Sequence, residues 1–138
     1  MFERILLAVD GSEHSNRAKE AAAELAGRAG GEVLVLHVRE IDSLGRAGPI
    51  SLEEPGDASD LVNHVVDDLR GRGATVRGEA HAVLASGVAP HIIATAKGFG
   101  ADVIVMGTRG MSDFSALLVG SVAHKVIHHA ECPVLVTR

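Results

Sequence analysis

The chain has 138 residues, 46% hydrophobic and 22% charged, with a formal net charge of −5; this is an ordinary globular balance, in a length that suits one domain, residues 1–138, with its own core. It holds no Trp, no Tyr and only three Phe, and its Lys and Arg form no cluster, which argues against nucleic acid as a partner. Cys132 is the lone cysteine, so an internal disulfide is excluded; with no signal-like start and no apolar run of membrane-spanning length, the expectation is a soluble, cytoplasmic protein without a membrane partner.

Residues 5–9 are continuously apolar, as in a parallel strand covered on both faces. Asp10-Gly11-Ser12 follows as a turn able to cap a helix. Ala18, Ala21, Ala22, Leu25, Ala26 and Ala29 recur at helical spacing, and Gly30-Gly31 ends that stretch. Residues 33–36 form a second buried strand. Residues 41–58 hold no periodicity and contain Pro49 and Pro55, which predicts a long loop.

Val62, Val65, Val66 and Leu69 mark a second helix, ended by Gly71 and Gly73. Val76, Gly78, Ala80 and Ala82 alternate with Arg77, Glu79 and His81, the pattern of an edge strand exposed on one face. Ser86 is placed to cap a third helix, with Pro90 in its first turn and Ala89, Ile92, Ile93 and Ala96 facing the core. Residues 102–106 form the fourth strand. Val119, Val122, Ala123, Val126, Ile127 and Ala130 repeat the helical stripe, and residues 133–136 close the chain as a strand that begins on a proline. This alternation predicts an open, largely parallel α/β sheet with helices on both faces. Ligands of such sheets sit at the carboxyl ends of the strands, where the strand order reverses.

The most informative spacing is Gly107-Thr108-Arg109-Gly110, then nine residues, then Gly120-Ser121, set between a strand and a helix. Glycines let the backbone approach an anion closely, and a helix N-terminus offers unpaired N–H groups with partial positive charge. Gly120 and Ser121 would supply N–H groups and a hydroxyl, and Arg109 a positive charge. No Gly-Lys-Ser/Thr occurs, so this is not a Walker loop, and the glycines fall after the wrong strand for a dinucleotide fingerprint.

Asp10 has two readings: an acceptor for ribose hydroxyls or a water-mediated Mg²⁺ ligand, or a turn-forming and capping acid. Asp113, inside the spacer, reads as a solvated acid. His124 and His128 have the i, i+4 spacing of a metal pair, with His129 and Cys132 nearby. No second ligand cluster accompanies them, so they read as solvated histidines at a helix C-terminus. His37 reads equally as a satisfied strand residue, and Cys132 as a small buried hydrophobe. No Gly-x-Ser-x-Gly elbow and no receiver-type pair of acids occurs, so no catalytic residue is assigned.

Gly-x2-Gly-x9-Gly-Ser, the start Ile5-Leu6-Leu7-Ala8-Val9-Asp10-Gly11-Ser12, Leu36-His37-Val38, Gly120-Ser121-Val122-Ala123 and the closing Cys132-Pro133-Val134-Leu135-Val136 together resemble the ATP-binding branch of the universal stress protein family. The resemblance implies a Rossmann-like five-stranded parallel sheet of order 3-2-1-4-5. It also implies ATP as ligand, with Mg²⁺ on the phosphates. By position, Asp10 matches the acid near ribose and adenine, Val38 the residue whose backbone meets the adenine edge, and Gly107, Gly110, Gly120 and Ser121 the phosphate-binding set. A homodimer through Val134, Leu135 and Val136 is implied as well. The expectation is a nucleotide-binding regulatory or stress-resistance protein with slow or no hydrolysis. The alternatives are a nucleotide-dependent enzyme (a slow ATPase or adenylyl transferase) and a dimeric interaction module that binds no nucleotide.

Overall fold

The computed structural model describes residues 2–43, 49–50, 54–84, 86–108 and 119–138. In chain order the elements are β1 (Arg4–Ala8), α1 (Glu13–Ala29), β2 (Glu32–Ser43), β3 (Pro49–Ile50), α2 (Pro55–Gly71), β4 (Thr75–Leu84), α3 (Val88–Phe99), β5 (Val103–Gly107), α4 (Ser121–His129) and β6 (Val134–Thr137). The five strands predicted from the sequence are all parallel and lie side by side as β4-β2-β1-β5-β6. In their own sequence order this is 3-2-1-4-5, and the order reverses between β1 and β5.

Alternation along the central strands builds two cores, one on each face. Ile5, Leu7, Val33, Val35, Val103 and Val105 point toward α1 and α2, where they meet Ala18, Ala22, Val62 and Leu69. Leu6, Leu34, Leu36, Ile104 and Met106 point the other way, against Ala89, Ile92, Ala123 and Val126 of α3 and α4. Each fully buried Leu or Ile contributes roughly 2 kcal/mol by leaving water. The continuous apolar runs of the sequence are explained by this double coverage.

Local chemistry sets the helix ends. The Ser12 hydroxyl accepts from the Ser15 N–H at 3.1 Å and caps α1. Gly30 and Gly100 adopt left-handed φ of 65° and 71° to terminate α1 and α3, a conformation that costs glycine nothing. Along the outer edges of α1 and α2, Arg72 bridges Glu20 and Asp68, and Lys19 meets Asp68 at 2.7 Å. These cations hold both carboxyls below the usual range.

Four expectations are corrected. The segment 41–58 is no uninterrupted loop: β2 runs on to Ser43, β3 pairs back on it antiparallel through Asp42 with Ile50, and α2 already begins at Pro55. Proline at the first helical position explains that early start, since its missing N–H has no partner to lose there. Ser86 does not cap α3; it sits at φ 69° and Gly87 is the N-cap, without a side-chain bond. On β4 the small apolar row turns toward α2, yet Ala80 and Ala82 stay exposed while Glu79 and His81 are half-buried. The cause is α3, whose His91 meets His81. In the last stripe only Ala123 and Val126 are buried, and Val119 and Ile127 are each 44% exposed. Among the described residues no helix is long and apolar enough to cross a membrane.

Candidate functional site at the carboxyl edge of the sheet

Beyond the carboxyl ends of the paired strands β1 and β5, Thr108 joins the first turn of α1, through His14, to Gly120 at the start of α4. Asp10, Val38 and α4 all lie on the α3/α4 face, as the alternation of β1 and β2 dictates. The Val38 side chain, like that of Ala8, is partly buried at the margin of that core. Helix α4 starts at Ser121, whose side chain is exposed, and its N-cap Gly120 provides no side-chain acceptor. The first-turn N–H groups of α4 therefore point at this edge with no cap from the Gly120 side.

Asp10 is drawn into the α1 turn. One carboxylate oxygen accepts from the Ser12 N–H at 2.9 Å, and its own N–H donates to the Ser15 hydroxyl at 3.1 Å. The turn-forming role is thus present, and it fixes the direction of the carboxyl group. His37 is buried and donates through Nδ1 to the Val9 carbonyl at 2.6 Å, so it is a satisfied strand residue that ties β2 to the end of β1.

Gly107 has a packing role the sequence does not reveal. A Cβ there would stand 2.7 Å from the His14 Cβ and 2.8 Å from the His14 carbonyl carbon. Its missing side chain lets the first turn of α1 close on β5. Arg109, Gly110 and Asp113 lie outside the described residues.

Three residues that sequence reasoning missed organise the edge. The Thr108 N–H donates to the Thr137 carbonyl at 2.8 Å, and the Thr108 carbonyl accepts from the Gly120 N–H at 2.6 Å. His14 Nδ1 lies 3.1 Å from the Thr108 hydroxyl, and the Thr137 hydroxyl donates to the His14 carbonyl at 3.0 Å. The two ends of the glycine motif therefore meet at Thr108. Thr108 stood in plain view inside the motif, but its side-chain partner His14 is 94 positions away in sequence and no local spacing announces it.

Of the remaining candidates, His124 lies in the first turn of α4, its N–H donating to the Gly120 carbonyl at 2.9 Å, and His128 lies one turn further on. His124 and His128 are exposed with ring centres 4.4 Å apart, and the described residues contain no group of three His, Cys, Asp or Glu able to hold a metal ion. Cys132 is half-buried, and burial pushes its thiol pKa up, the opposite of a reactive thiolate.

A parallel sheet whose strand order reverses between β1 and β5, with helices on both faces, defines the open doubly wound α/β class. More particularly, the chain belongs to the universal stress protein family, whose model matches residues 1–138. It is 36% identical over 143 residues to a universal stress protein of Thermus aquaticus, covering all of both chains. Its fold superposes on that of protein MJ0577 of Methanocaldococcus jannaschii with a TM-score of 0.82, at 25% identity, covering 99% of this chain and 96% of that one. A universal stress protein from Archaeoglobus fulgidus, solved in complex with dAMP, matches with a TM-score of 0.70 at 27% identity, covering 100% and 98% of the two chains.

Proposed function

We propose that this protein binds an adenine nucleotide, ATP with Mg²⁺ on its phosphates, at the β1/β5 edge, and acts in the cytoplasm as a nucleotide-dependent regulatory or stress-resistance protein. The observation that carries the reading is the bond from the Gly120 N–H to the Thr108 carbonyl. It sets the uncapped start of α4 beside the end of β5, where a phosphate would meet N–H groups and partial positive charge. Gly120 has φ −60° and ψ 158°, which any residue can adopt, so backbone strain does not explain a glycine there. In this reading the glycine serves the close approach of a ligand.

In this reading Val38 offers its backbone to the adenine edge and Asp10 turns its carboxyl toward the ribose. Gly107, Arg109, Gly110, Gly120 and Ser121 surround the phosphates. Mg²⁺ would be held mainly by phosphate oxygens, with Asp10 contributing through water. The dAMP complex of the Archaeoglobus fulgidus relative supports the adenine half of the assignment. A homodimer through Val134, Leu135 and Val136 belongs to the same reading: β6 pairs with β5 on one side, and Leu135 is 39% exposed.

The test is chromatography of the small molecules released when the purified protein is denatured, followed by titration of the stripped protein with MgATP. Release or binding of ATP or ADP is expected, and Gly110→Ala combined with Gly120→Ala should abolish it. Wild-type protein that carries no nucleotide and ignores added MgATP would sink the assignment.

A further inference from the structure

Thr108, at the sheet edge, is bonded to three separate elements. Its N–H reaches β6, its carbonyl the residue before α4, and its hydroxyl the first turn of α1. The hydroxyl is turned away from the proposed ligand face: Gly107 and His14 pack on the α1 side, whereas Val38 and α4 lie on the other. Thr108 is also buried, with 9% of its surface exposed. A hydroxyl next to an imidazole has the composition of a nucleophile and its base. Burial on the far side removes Thr108 from that role and leaves it the role of a fastener.

From this geometry we infer that His14, through the Thr108 hydroxyl, is a positioning residue that holds both ends of the glycine motif, Thr108 and Gly120, in register with the start of α4. The bond needs no particular protonation state, because the hydroxyl donates to a bare Nδ1 or accepts from a protonated one. His14 is in turn held from behind, where its carbonyl accepts from the Thr137 hydroxyl at 3.0 Å. The fastener thus links α1, β5, β6 and α4. Its consequence for ligand affinity rests on the nucleotide reading above; its consequence for Gly120 does not.

The experiment accordingly has two readouts on the full chain. The first is amide hydrogen exchange at Gly120 without nucleotide. His14→Ala and Thr108→Val should each speed that exchange by about tenfold, through local opening. The double variant should be no faster than the faster single one, because both remove one hydrogen bond. Thr108→Ser, which keeps the hydroxyl, and His14→Asn, which keeps a donor near the Nδ1 position, should restore the wild-type rate. The second readout is the MgATP dissociation constant, expected to rise by about the same factor in the two disrupting variants and to recover in the two conservative ones. Unchanged exchange in both disrupting variants, or additive effects in the double one, overturns the inference. Exchange that responds as stated in a wild-type background that binds no MgATP supports the fastener and overturns the nucleotide reading instead.

Discussion

Glycine positions that look equivalent in the sequence do different work. At Gly107 a methyl group would collide with the backbone of His14, which α1 cannot withdraw without opening the packing against β5. Gly107→Ala is therefore expected to destabilise the fold by about 1–3 kcal/mol, the usual range for overpacking, read as a lower urea midpoint. Gly120→Ala meets no conformational objection at φ −60°. It should cost less stability while affecting ligand affinity more, so it is the cleaner probe of the cleft. A Gly107→Ala variant as stable as wild type would show that α1 yields, and would remove the packing role of Gly107. Nothing in the Gly-x2-Gly spacing separates the two cases, because the colliding atoms come from the other end of the chain.

At the scale of elements, the contact between β4 and α3 has a built-in acid weakness. His81 Nε2 donates to Glu79 Oε1 at 3.1 Å, and His81 Nδ1 shares a hydrogen bond with His91 Nε2. Burial, and then the neighbouring His81 charge, hold the His91 pKa below its ordinary value. Its protonated form is disfavoured in the fold, so the unfolded chain binds more protons just below the ordinary histidine pKa of about 6.5. Stability should accordingly fall as pH drops below that value and be restored above it. Melting temperatures measured from about pH 7 down to about pH 5 should decline, and His91→Gln should flatten the decline. Identical slopes for wild type and variant would remove His91 from the account. The alternation Arg77, Glu79, His81 marks this row as polar, and the sequence reading leaves it in solvent. Only the packing of α3 decides that it is partly covered.

For the whole molecule, the β6 edge carries the proposed self-association. Leu135 and Ile127 expose 39% and 44% of their surfaces, and a parallel sheet ending in a short apolar strand presents unpaired backbone groups to a second copy. Such pairing is self-complementary about a two-fold axis, so one substitution acts twice in each interface. Leu135→Arg is expected to convert a dimer to a monomer in sedimentation velocity, with an unchanged far-ultraviolet spectrum. A dimer that survives the substitution would place the interface elsewhere.

What the sequence by itself determined is the order and type of the long elements. Apolar runs at 5–9, 33–36 and 103–106 have no polar alternation, and only strands covered on both faces can use such runs. Stripes such as Ala18, Ala22 and Ala26 have one helical period and one buried face. The glycine motif and the turn at Asp10 were legible for the same reason, since their chemistry lies in consecutive residues. Tertiary structure alone decided which face each site residue occupies, why Gly107 must lack a side chain, and that Thr108 joins His14, Thr137 and Gly120. Those facts depend on contacts across the fold, some between residues 94 and 123 positions apart, as with His14 and Thr108 or Thr137 and His14, and such contacts leave no period or spacing in the chain.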